Sequence, residues 1–281
     1  MGARMLDRRL LYAAQRISLM HLGPDGSMKE VHGTCFFVKS DAELYAVTNR
    51  HNLNLAFKGP KWVGYKLQHF MIAGFADNDH YYEGAPTEPI RFVFPTNQFE
   101  DVAVFELTNK QIQYRRKRKQ GEGPNVILGG PSVFAVEASM LSQTDDLKRM
   151  TAGAPIFMPS YSLHYDRNSE RPVMRGGIVS SDPDSDYLTD GQEPARRVLY
   201  QAQSAEGASG APVFALMDTE AVLLGVNAGQ LLLPPSNVPS GFSYCFKAEC
   251  IRECIEELRR PARTECAIVP DSADRLSGGL G

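Results

Sequence analysis

The chain is cut into short runs of apolar, β-branched and aromatic residues, each ended by Gly, Pro, Asn or Asp. Runs this short cannot carry a helical repeat, and their spacing is that of an all-β barrel or sandwich. One set of candidate strands covers 33–39, 44–48, 62–70, 90–94 and 101–107. A second covers 154–158, 173–179, 197–202, 212–215, 222–228 and 241–246. Alternation within the runs is imperfect, as in strands buried on both faces. With 281 residues, 43% of them hydrophobic, the chain can bury a core as one large domain or two packed lobes. A net charge of −3 gives no reason to expect nucleic acid as a partner.

Between the two sets lies a stretch of different character. It holds the basic run RRKRK at 115–119, followed by GEGPN, and reads as an exposed connection that is either a solvated loop or a docking or nicking site. At the other end, Ile251, Ile255 and Leu258 stand at helical spacing, Arg259 and Arg260 suit the negative end of the helix dipole, and Pro261 stops the helix. Residues 271–281, rich in Ser, Gly and charge, are expected to be disordered. The first twenty residues contain only an apolar stretch broken by Arg16, so neither a signal peptide nor a membrane helix is expected. Cys35, Cys245, Cys250, Cys254 and Cys266 make an odd set without a CxxC pair. That points to a reducing compartment, the cytoplasm by default, rather than to disulfides. No Cys and His share metal-ligand spacing, so no metal site is expected.

Three segments can carry chemistry. In GASGAPVF (207–214), Ser209 sits among glycines and small residues, which allow a tight turn and leave room for a substrate carbonyl. In YAVTNRHN (45–52), an apolar strand runs into a polar turn bearing His51. In DVAVFEL (101–107), Asp101 opens an apolar strand. Each alone has a plain structural reading: a turn serine, an exposed histidine, a capping aspartate.

Taken together they resemble the trypsin-like (chymotrypsin-fold) serine peptidases. His51 precedes Asp101 by 50 residues and Asp101 precedes Ser209 by 108, and GTCFFV (33–38) before VTNRHN resembles the strand pair that delivers the histidine. GAPIFMPSY, RPVMRGGIVSS and LLGVNAG resemble strands of the second barrel, and the absence of disulfides is nearer the bacterial and intracellular members. The order excludes an α/β-hydrolase, whose nucleophile comes first. The resemblance implies one peptidase domain of two six-stranded antiparallel β-barrels with a C-terminal α-helix: first barrel 10–108, connection 109–149, second barrel 150–247, helix 248–261 and flexible tail 262–281. It further implies catalysis by His51, Asp101 and Ser209 and an oxyanion hole from the Gly207 and Ser209 amides. Asn227, Ala228 and Gly229 would form a strand edge that pairs with substrate, and Gln203 would lie at the base of the primary pocket. The partner would be a protein or peptide, and the mechanism needs no cofactor or metal.

Two departures stand out. Ala208 replaces the aspartate that pairs with a newly cut N-terminus in zymogen-activated relatives, which excludes that activation and leaves the oxyanion loop without its usual tether. Ala211 replaces a glycine, and its methyl would narrow the site. A neutral Gln203 implies a small or uncharged residue at the cleaved position, although the acidic run at 181–186 could draw basic substrates to the rim. The alternatives are a silent pseudo-protease that binds peptides, or a protease subunit docking through 115–119 or the C-terminal helix.

Overall fold

The computed structural model describes residues 7–75, 81–86, 89–107, 112–116, 126–127, 134–189, 192–218, 220–233, 235, 238–260 and 267–268. The first half contributes β1 (Ala14–Leu22), β2 (Met28–Ser40), β3 (Glu43–Thr48), β4 (Lys66–Phe75), β5 (Tyr81–Pro86), β6 (Ile90–Val93) and β7 (Ala103–Leu107). The short strands β8 (Ile112–Arg116), β9 (Val126–Ile127) and β10 (Val136–Glu137) follow. The second half is β11 (Pro155–Ser160), β12 (Val173–Val179), β13 (Arg197–Gln201), β14 (Pro212–Met217), β15 (Glu220–Leu233) and β16 (Val238–Lys247). The helices are α1 (Arg50–Leu53), α2 (Thr144–Arg149) and α3 (Glu249–Arg259), and the last strand is β17 (Ala267–Ile268).

β2 shows why the strands read as continuous apolar runs. Cys35 and Phe37 lie in the core of the first half with Ile17, Phe70 and Phe105. Phe36 and Val38, of opposite parity, lie in a second core shared with Phe214, Val226 and Phe246 of the other half. A strand buried on both faces has no polar parity to reveal its period. The second half closes into a six-stranded barrel in the order β11-β12-β13-β16-β15-β14, filled by Met158, Val198, Tyr200, Val213, Leu224 and Cys245.

The first half is a half-barrel rather than the second closed barrel that was expected. Its sheet runs β6-β7-β3-β2-β1-β4-β5 and continues into β8 and β9. A strand has only two edges, and those of β5 are taken by β4 and by β8 of the connection. Closure from β5 onto β6 is therefore blocked. The architecture remains that of a chymotrypsin-like double barrel.

Other sequence expectations shift locally. β1 was not anticipated, and the strand expected at 62–70 lies at Lys66–Phe75, with Pro60–Trp62 in a 3-10 turn. Ala267–Ile268, inside the expected flexible tail, pairs with β6. Of the basic run, the backbone of Arg115 and Arg116 belongs to β8; positions 117–119 and the tail at 271–281 lie outside the described residues. Among the described residues no helix is long and apolar enough to cross a membrane.

α3 forms where expected, and its apolar stripe is consumed within the chain. Cys250, Ile251, Cys254 and Ile255 are buried against Phe36, Tyr45 and Val226, closing the seam between the halves. Complete burial of each isoleucine contributes about 2 kcal/mol. Only the polar face of α3 is left for a partner. Cys35, Cys245, Cys250 and Cys254 are free and buried. Burial pushes all four thiols up, that of Cys245 to about 12.

A buried ion cluster locks the seam from behind. The Glu100 carboxylate, 1% exposed, accepts from Arg196 Nε at 2.7 Å and Nη2 at 2.5 Å, and the same guanidinium bonds Glu253 of α3. Arg196→Met would strand a buried carboxylate, and such losses run to about 3–5 kcal/mol. Urea denaturation at neutral pH should show a drop of that size, partly recovered when Glu100→Gln is added.

Candidate active site

His51 and Asp101 meet where two strands of the half-barrel end. β3 runs into Asn49 and then the single turn of α1, which carries His51. Asp101 lies just ahead of β7, which pairs with β3. Three contacts fix the pair. The His51 N–H donates to Asp101 Oδ1 at 2.8 Å, and Nδ1 lies 2.5 Å from Asp101 Oδ2. Asn49 Nδ2 donates to the Asp101 carbonyl at 2.6 Å. A carboxylate only accepts, so this contact calls for a ring proton on Nδ1 and turns Nε2 away from Asp101. Both side chains are mostly buried, with His51 9% and Asp101 5% exposed. The neighbouring Lys58 ammonium is pulled down by burial, against the attraction of Asp101 and Glu206.

Two consecutive turns precede β14, and Ser209 stands in the second, closed by Ala211 N–H on the Ala208 carbonyl at 3.0 Å with Gly210 at φ +88°. The first leads into it: Ala208 N–H donates to the Ala205 carbonyl at 2.9 Å, and Gly207 has φ +85° while Glu206 is not in the left-handed region. This is a type II turn, whose third position requires the freedom of glycine. Ser209 itself is partly exposed. Its carbonyl accepts from Thr34 N–H of β2 at 2.8 Å and from Asn52 Nδ2 at 3.4 Å. Asn52 is the residue after His51, so the serine is seated directly across the seam from the histidine turn. A close approach makes this possible. A Cβ on Gly210 would stand 2.1 Å from the Thr34 carbonyl oxygen.

Every carbonyl from Glu206 to Ser209 is tied down. Glu206 accepts from Leu163 N–H at 2.9 Å, and Gly207 accepts from the Thr34 hydroxyl at 2.7 Å. Ala208 accepts from Asn227 Nδ2 at 2.7 Å and Ala211 N–H at 3.0 Å, and Ser209 accepts from Thr34 as above. The amides of Gly207 and Ser209, by contrast, have no acceptor among the described residues. Two free donors on a fixed turn are the requirement for binding a developing oxyanion.

The remaining sequence candidates are scattered around this centre. Ala208 and Ala211 are fully buried in the core of the second barrel, so the Ala211 methyl does not narrow the site as expected. Gln203 is exposed, and its carbonyl accepts from Arg175 at 2.5 Å. Asn227 is buried beneath the turn: its N–H donates to Ala211, its carbonyl accepts from Gly210, and its side chain is fully engaged. Ala228 and Gly229 follow at a bulge in β15. Of the acidic run, Asp186 pairs with the buried Lys247 at 2.8 Å, and Asp182 caps its own loop.

No family model and no curated protein matches the chain. The crystal structure of Deg5 matches 89% of this chain and 90% of its own, with a TM-score of 0.54 and 13% identity. The likeness agrees with the chymotrypsin-like double-barrel fold. At that identity the likeness speaks for the fold, while the site rests on its own geometry.

Thr34, Leu163 and Tyr161 were missed as site residues. Thr34 is the one hydroxyl within the apolar GTCFFV run, and a buried threonine in such a strand needs a partner. It has two, because its Oγ1 also accepts from Tyr161 N–H at 3.0 Å. Leu163 and Tyr161 act through backbone groups and carry no residue-type signal. Thr34→Val leaves the Gly207 carbonyl and the Tyr161 amide without partners. Thermal and urea denaturation should show a loss of about 1–3 kcal/mol.

Proposed function

We propose that this chain is a serine endopeptidase acting through an acyl-enzyme on Ser209. The observation that carries the reading is the conjunction of a carboxylate-oriented His51 with a serine on a turn that offers two free amides. His51 Nε2 takes the Ser209 hydroxyl proton as Oγ attacks the scissile carbonyl. Asp101 holds the tautomer and stabilises the imidazolium that forms. The Gly207 and Ser209 amides receive the oxyanion. His51 then returns the proton to the leaving amine, and water hydrolyses the ester with His51 again as base.

The substrate is read as an extended peptide adding to the edge of β15, with affinity from main-chain hydrogen bonds. Because the backbone and side chain of Asn227 are used internally, that edge begins at Ala228 and Gly229. Gln203 would face the primary pocket and favour a small or uncharged residue at the cleaved position. Four free thiols support a reducing compartment such as the cytoplasm. The two unbonded amides beside Ser209 support catalysis over a silent peptide-binding module.

A fluorophosphonate probe should label the wild-type protein, and Ser209→Ala should abolish the label. Asp101→Asn, which favours the wrong histidine tautomer, should lower kcat by about 10⁴. No labelling of folded wild-type protein would refute the reading. Cleavage of a peptide library should show uncharged residues at the cleaved position, and a dominant Arg or Lys would overturn that assignment.

A further inference from the structure

A trans peptide is planar, with its C=O and N–H pointing in opposite directions. A group that grips the carbonyl therefore aims the amide on the far side. The Ser209 N–H shares its plane with the Ala208 carbonyl, and that carbonyl is gripped by Asn227 Nδ2 at 2.7 Å, with the Ala211 N–H as a second, longer donor at 3.0 Å.

Asn227 is itself held so that it can face only one way. Its Nδ2 also donates to Ser204 Oγ at 3.1 Å, and its Oδ1 accepts from the Tyr200 hydroxyl at 2.6 Å. Asn227 and Tyr200 are both fully buried. Burial pushes the Tyr200 phenol well above its ordinary value, so it stays protonated and can donate. Donation to Oδ1 fixes which end of the amide meets Ala208. A fully buried carboxamide is costly unless satisfied, and every hydrogen of this one is spent on the turn or on Ser204.

We infer that Asn227, oriented by Tyr200, is a positioning residue that aims the Ser209 amide into the oxyanion site. It supplies from β15, with neutral groups, the tether that Ala208 cannot provide. This rests on the reading of Ser209 as the nucleophile.

Asn227→Asp keeps the shape and the acceptor for Tyr200 but, when ionised, has no hydrogen for the Ala208 carbonyl. Its phosphonylation rate and its kcat on a peptide substrate should fall by about 10²–10³, the cost of losing one oxyanion donor, with KM little changed. Its crystal structure should show the Ala208–Ser209 peptide turned. Tyr200→Phe keeps Asn227 and loses only the orienting hydroxyl, and should give a smaller fall in kcat, again without a change in KM. A folded Asn227→Asp with wild-type kcat, or with that peptide unmoved, overturns the inference. If Asn227→Asp does not fold, Tyr200→Phe decides: a fall in kcat alone supports the role and an unchanged kcat removes it. If the wild-type protein never labels, the peptidase reading fails, and the peptide orientation in Asn227→Asp still decides the positioning claim.

Discussion

The arrangement around the seam depends on Thr34. Its backbone N–H holds the Ser209 carbonyl, its hydroxyl holds the Gly207 carbonyl, and its own carbonyl accepts from Thr48 Oγ1 at 2.8 Å, just ahead of the His51 turn. One residue of β2 thus fixes the distance between the strand end that bears the histidine and the turn that bears the serine. The two halves bury a common apolar core, but apolar contact is non-directional and cannot set that register. Directional bonds from a single strand can, and Gly210 lets the backbones close to the required separation.

The same bonds explain how a turn without a charged tether keeps its shape. An ammonium–carboxylate pair of the kind Ala208 excludes would weaken as an α-amine lost its proton, with an ordinary pKa of about 8. Here the donors to the four carbonyls are backbone N–H groups, a threonine hydroxyl and a carboxamide. None of them titrates near neutrality. In the low-dielectric seam each bond is stronger than in water, and each unmet partner would be correspondingly costly. The bonds that shape the turn are thus all made by neutral groups of the folded chain.

What the sequence revealed follows from what leaves a residue-type trace. His51, Asp101 and Ser209 stand in recognisable contexts, and α3 shows its stripe through Ile251 and Ile255. β1 was hidden because polar Gln15 and His21 are buried on its inward face, Gln15 bonded to the Tyr12 carbonyl and Tyr82, and His21 Nε2 to the Asn52 carbonyl, so that face does not read as apolar. Closure of the first barrel was illegible for another reason. It depends on which strand takes the free edge of β5, a long-range pairing that no local pattern encodes. Asn227 looked like part of a substrate edge because its neighbours do, and only the three-dimensional partners turn it inward.

The Asp101 side of the site shows the same economy. Glu100 and Asp101 are adjacent, yet their carboxylates are committed to different tasks, one to Arg196 and one to His51. Arg196 also reaches Glu253, whose other oxygen accepts from Thr96 N–H at 2.7 Å. The loop that delivers Asp101 is thereby held to β13 and α3 at once. Burying Glu100 beside Asp101 would set two negative charges together at high cost, were the guanidinium not there to neutralise one of them. The helix that closes the core thus also braces the loop that delivers Asp101.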